Sequence, residues 1–185
     1  RLRARCATLP KPLRLRPAAA RHPLRVCPAP RSLNTTHRKE VPPIDFCHIP
    51  VSIIKRSEGR SAVAAAAYRS GTKLTNEWDG LTHDYTRKGG VVHAEIMLPA
   101  HAPPEFADRS ILWNSVEQIE KARDSQLARE IEAALPRELS GEQQLALVRA
   151  YVKDNFVDKG MCADFAIHDK GTGNPHVHIM LTLRL

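Results

Sequence analysis

The last twelve residues, NPHVHIMLTLRL, constrain this chain more than any other stretch. After an Asn-Pro turn, apolar and other residues alternate strictly. Val177, Ile179, Leu181, Leu183 and Leu185 share one face, and His176, His178, Met180, Thr182 and Arg184 share the other. Period-two alternation requires a strand with one face against a core. Just upstream, MCADFAIHD repeats the pattern, with Met161, Ala163, Phe165 and Ile167 inward and Asp164 and His168 outward. The short turn KGTGNP joins the two as a hairpin. Three histidines, His168, His176 and His178, are therefore expected on one face of adjacent strands.

The remaining elements follow from the same kind of reading. FCHIPVSIIKR alternates with Cys47, Ile49, Val51 and Ile53 on one face, and Pro50 suits an edge strand. SAVAAAAYRSG predicts a helix with Ser61 as N-cap and Gly71 as its end. Residues 72–90 are polar and turn-rich and read as a loop holding Trp78, Asp84 and Tyr85. VVHAEIMLP predicts a strand with Val92, Ala94, Ile96 and Leu98 inward and His93 and Glu95 outward. PEFADRSILWNSVEQIEKARDSQLA predicts a long amphipathic helix with Ile111, Leu112, Val116 and Ile119 as its apolar stripe. REIEAALP reads as a strand with Ile131, Ala133 and Leu135 inward and Glu130 and Glu132 outward. SGEQQLALVRAYVKDNFVDKG reads as a helix capped by Ser140, with a stripe through Leu145, Leu147, Val148, Tyr151 and Val152 and a stop at Gly160. The expected fold class is α+β: a single, mainly antiparallel sheet with helices packed on one face and a metal site on the other.

Composition narrows the class. No apolar run approaches the ~18 residues of a membrane span, and the Ala-rich stretch at 62–67 is far shorter, so no membrane association is expected. Cys6, Cys27, Cys47 and Cys162 lack CxxC spacing, which argues against a zinc knuckle or a disulfide framework and fits a reducing, cytoplasmic setting. The net charge of +8 is concentrated at one end: residues 1–40 hold 11 Lys/Arg against Glu40 alone. The remainder, with 17 basic and 19 acidic residues, is near neutral. Residues 1–45 are rich in Arg and Pro and lack periodicity, so they are expected to be a disordered basic tail, read as translated sequence upstream of the true start. Residues 46–185 form the expected folded domain, with a C-terminus expected to be truncated.

The pooled outward positions are His93, Glu95, Glu130, Glu132, Asp164, His168, His176 and His178. Three imidazoles aimed at one point from a hairpin form a metal-site arrangement, and neighbouring carboxylates could orient them. His22, His37, His48, His83 and His101 have no such company. By themselves three imidazoles also suit a small-molecule zinc hydrolase or a non-haem iron oxygenase.

Four segments, GRSAVAAAAYRSG, HDYTRKGGVVHAEIMLP, LWNSVEQIEKARDSQLAREIEAALP and IHDKGTGNPHVHIMLTLR, together resemble the relaxases of mobilisable plasmids, specifically the MobA/MobL (MobQ) family of His-hydrophobic-His nucleases. The resemblance covers about residues 46–185. It implies a relaxase-like fold and a metal-dependent endonuclease that nicks one strand at an origin of transfer. The enzyme would keep the 5′ phosphate on a tyrosine and later rejoin the strand. By position, Tyr68 matches the nucleophile and His168, His176 and His178 match the metal ligands, with Mg²⁺ or Mn²⁺ as the expected cofactor. Glu95, Glu130, Glu132 and Asp164 are candidates for the assisting carboxylate. Single-stranded DNA is the implied partner, alongside accessory mobilisation proteins.

A phenol with an ordinary pKa near ~10 needs activation by a base or nearby cation. Tyr85 is a rival nucleophile in a loop that could fold over the site, whereas Tyr151 falls in a helical stripe. Arg69, Lys73, Arg87 and Lys88 are candidates for phosphate contact. A rival reading is a catalytically inactive DNA-binding fragment of such an enzyme.

Overall fold

The computed structural model describes residues 49–183. The readings made for the basic tail, for Cys6, Cys27 and Cys47, and for His22, His37 and His48 lie outside the described residues. Five strands form one sheet: β1 (Val51–Lys55), β4 (Val91–Met97), β5 (Gln126–Ala134), β6 (Ala163–His168) and β7 (His176–Leu181). Their order is β1-β5-β7-β6-β4, and every neighbouring pair is antiparallel. Three helices accompany it: α1 (Ala62–Ser70), α2 (Arg109–Ile119) and α3 (Gly141–Asn155). The α+β class, the single antiparallel sheet, the terminal hairpin and the edge position of β1 are as the sequence predicts.

The helices, however, cover both faces. On one side α3 packs Val148 and Val152 against Ile131, Phe165, Ile167, Val177, Ile179 and Leu181. On the other, α1 and α2 pack Ala62, Val63, Ala66, Leu112 and Trp113 against Ile54, Leu127, Ala128 and Met180. The face expected to carry only the metal site therefore carries two helices as well. Alternation within a strand tells which residues share a face, but not whether a partly polar face is covered. Here buried polar partners make covering possible: Asp164 accepts two hydrogen bonds from Arg109 and one from Trp113 Nε1, at 2.8, 2.8 and 2.9 Å.

Several phases differ from expectation. In β1 the core residue is Ile54, while Ile49 and Val51 are exposed, because only the end of this edge strand lies under α1. Ile96 of β4 and Leu98 just beyond it face the α1–α2 cluster, and Glu95 pairs with Phe165 and so points to the α3 side. Residues 72–90 include a two-stranded hairpin, β2 (Lys73–Thr75) and β3 (Thr82–Asp84). Helix α2 is shorter than expected, because Asp108 caps its start and residues from Gln126 onward join β5. Its buried face runs through Leu112, Trp113, Asn114 and Glu117, and Ile111 and Ile119 are exposed. Polar side chains displaced the apolar stripe since each finds a partner inside: Glu117 accepts from Ala62 N at 2.8 Å, and Asn114 bonds Glu77 N and the Thr75 carbonyl. In α3, Val148 and Val152 are core, but Leu147 and Tyr151 are exposed. Ser140 caps this helix in a reciprocal arrangement with Gln143.

Candidate metal centre

The site is built on the central hairpin. β7 lies between β5 and β6, so the backbone of His176 and His178 is held from both sides. Leu135 N donates to the Pro175 carbonyl at 2.8 Å, which anchors the turn just before them. His168 closes β6 and pairs in register with His176. The three rings lie with centroids 4.8 to 5.5 Å apart. One nitrogen from each can be chosen such that all three fall within 4.8 Å of one another. Three nitrogens at ~2.1 Å from a single ion would stand roughly 3–4 Å apart, so small ring rotations suffice.

Two of the imidazoles are oriented by a hydrogen bond at one nitrogen, which leaves the other for a ligand. His176 Nδ1 donates to the Asn174 carbonyl at 2.9 Å, and His168 Nε2 donates to the Arg69 carbonyl at 2.6 Å. His178 Nδ1 is buried without a well-aligned hydrogen bond and faces Glu130 Oε1 at 3.4 Å. Burial pushes the His168 imidazole down to about 4, with Lys88 and the other two rings adding to this against the opposing Arg69 hydrogen bond. A neutral ring with a free lone pair is what a cation needs, so the donor set fits a metal ion.

Glu130 is the carboxylate at the centre. Burial raises its pKa, but the facing His178 ring and the hydrogen-bonded Arg69 guanidinium outweigh this and hold it at about 2. Arg69 pairs with it closely, Arg60 lies at 3.5 Å and Ser52 Oγ donates to it at 3.3 Å. Glu132 is more peripheral, 3.9 Å from His178 Nδ1 and half exposed. Two expected members are elsewhere. Asp164, though on the same face, is locked to Arg109 and Trp113 under α2. Glu95 is on the opposite face, bonded to His93 and Arg149, because its register with Phe165 turns it toward α3.

Helix α1 brings the phenol. Ser61 accepts from Ala64 N, the buried Glu117 accepts from Ala62 N, and Gly71 ends the helix with φ +65°. Its buried residues are mostly alanine, so its backbone lies close enough to the sheet for the Arg69 carbonyl to reach His168. Tyr68, 47% exposed, then lines one pocket of about 310 Å³ with Lys88, His168, Lys170, His176 and His178. The Tyr85 ring stands edge-on to that of Tyr68, at 5.2 Å between centroids, and does not line this pocket. Lys170, on the β6–β7 turn, has no counterpart in the sequence reading. Only its place two residues after His168 could have signalled it.

A sheet whose central hairpin presents three clustered imidazoles beside a helix-borne tyrosine defines the class, an α+β domain with a histidine cluster that could hold a metal ion. The chain belongs to the MobA/MobL family, whose model matches residues 60–185. It is 48% identical over 149 residues to the conjugal transfer protein TraA of Agrobacterium fabrum, covering 75% of this chain and 14% of that protein. It is 49% identical over 121 residues to the mobilization protein MobL of Acidithiobacillus ferridurans, covering 65% of this chain and 31% of that one. Among solved structures it resembles one described as the molecular basis of vancomycin resistance transfer in Staphylococcus aureus. The TM-score is 0.72 and the identity 32%, covering 76% of this chain and 72% of that one. The chain thus spans a minor part of the length of these curated relatives.

Proposed function

We propose that this domain is a relaxase that nicks one DNA strand at an origin of transfer by transesterification onto Tyr68. The observation that carries this reading is the convergence of Tyr68 and the three histidines on one pocket. The Tyr68 hydroxyl oxygen attacks the scissile phosphorus, the bond from phosphorus to the 3′ oxygen breaks, and the phenol proton is lost as the leaving 3′ oxygen gains one. The 5′ phosphate remains as a phosphotyrosine ester. Because one phosphoester replaces another, the later rejoining needs no external energy source. His168, His176 and His178 would hold Mg²⁺ or Mn²⁺, which when bound supplies a Lewis acid for a phosphate oxygen. Glu130 holds the His178 ring in place, and Glu132 lends further negative charge beside it. Single-stranded DNA at an origin of transfer is the substrate in this reading, with accessory mobilisation proteins as partners and the cytoplasm as the setting. Among the described residues no helix is long and apolar enough to cross a membrane.

The test uses a pool of single-stranded oligonucleotides with a randomised central segment. With Mn²⁺ or Mg²⁺ the protein becomes covalently joined to a subset of strands, in a denaturant-resistant, EDTA-sensitive product. Tyr68→Phe abolishes the product while keeping the same circular dichroism spectrum. Adduct formation by Tyr68→Phe, or its absence from the wild-type protein under all these conditions, overturns the proposal. In the latter case, salt-sensitive binding of the strands would mark an inactive DNA-binding fragment.

A further inference from the structure

The pocket holds two ammonium groups for which the chemistry above has no use. Lys88 enters from the loop before β4, its Nζ donating to the Tyr68 carbonyl at 2.8 Å and lying 3.6 Å from the centroid of the Tyr68 ring. The contact caps the end of α1 and holds the ring by a cation–π interaction. Lys170 enters from the β6–β7 turn. That turn is tied to the same loop, since Asp169 N donates to the Gly90 carbonyl at 2.9 Å. Gly90 has φ +86°, and a Cβ there would stand 2.7 Å from Lys170 Cγ, so only glycine lets the Lys170 stem lie this close.

Neither group has a carboxylate partner among the described residues. They are the two cations that line this pocket, whereas the neighbouring Arg69 is paired with Glu130. Burial, followed by the charges of Arg69 and Lys170, pushes the Lys88 ammonium down to about 8. Positive charge held against its own repulsion, next to a cluster suited to a cation, calls for an anion that engages both groups.

We propose that Lys88 and Lys170 form a phosphate clamp that seats the DNA backbone between Tyr68 and the three histidines, with Lys88 also acting as the positioning residue for the Tyr68 ring. This rests on the relaxase reading for its substrate, but the clamp itself requires only a phosphodiester. The probe is therefore a dT20 oligonucleotide, whose binding to the full chain is followed by fluorescence anisotropy over a range of salt concentrations. Lys88→Met and Lys170→Met each lower the slope of log affinity against log salt by about 0.7, and the double variant by about 1.4. Lys88→Arg and Lys170→Arg keep the slope, as does Lys121→Met, at a site outside this pocket. On an oligonucleotide that forms the adduct, Lys170→Met raises KM, while Lys88→Met also lowers kcat by about tenfold to a hundredfold.

Slopes left unchanged by both methionine variants, an equal fall with Lys121→Met, or no dT20 binding by the wild type would overturn the clamp. Adduct formation with unmoved slopes removes the clamp and leaves the relaxase reading intact. Slopes that fall as expected without any adduct do the reverse. Thermal melting of each variant separates these effects from loss of the fold.

Discussion

At the scale of single residues, two titratable groups make the site sensitive to acid in adjoining ranges. The His168 imidazole in the folded protein sits at about 4, below its ordinary 6.5. Between these values the unfolded chain holds more protons, so stability rises with pH through this window and is lost as pH falls from about 6.5 to about 4. Glu130 is depressed from 4.5 to about 2, so its contribution is present above 4.5 and lost as pH falls toward 2. Urea midpoints measured from pH 2 to 7 are expected to fall in both ranges. His168→Gln should flatten the upper range and Glu130→Gln the lower. Glu130→Gln should also weaken Mn²⁺ binding by roughly 10–100-fold in calorimetry, because the carboxylate that orients His178 is gone. A fall in affinity from Glu132→Gln but not Glu130→Gln would reverse the roles assigned to the two acids.

Among the elements, α2 shows why an acid on the histidine face need not belong to the site. Asp164 accepts from Nε and Nη2 of the Arg109 guanidinium and from the Trp113 indole, and so fastens α2 to β6. Asp164→Ala should cost about 3–5 kcal/mol in chemical denaturation, by stranding Arg109 without its charge partner. Metal affinity of the fraction that remains folded should match the wild type, and a selective loss of metal binding would return Asp164 to the site. The ends of α1 were plain in the sequence, since Ser61 and Gly71 act through local backbone geometry. The face of α2 was not, because burying Glu117 is favourable only once Arg56 and the N-terminus of α1 surround it.

For the whole molecule, the two cores act as opposed clamps on one sheet. Phe165 is fully buried beneath α3, while His168 and His176 project from the same hairpin toward α1. Phe165→Ala should cost about 3–5 kcal/mol and lower Tm by thermal melting, since a large cavity opens behind the hairpin. Metal affinity should fall in the same variant, because the strands that aim the imidazoles lose their backing. An unchanged Tm would show that the α3 side does not support the site.

The sequence by itself determined the elements whose causes are local. These were the terminal hairpin with its three histidines in phase, both caps of α1, the Ser140 N-cap of α3, though not its end, which falls at Asn155 rather than at Gly160, and the edge character of β1. Each follows from two-residue alternation, a capping oxygen or a proline's missing N–H, interactions that reach only a few residues along the chain. Only the tertiary structure decided that Glu130 attends His178, that Glu95 belongs to the other face, and that Lys88 and Lys170 meet beside Tyr68. Those outcomes depend on which strands pair and in what register. Pairing brings together groups from distant parts of the chain, and alternation within one strand carries no information about the phase of another.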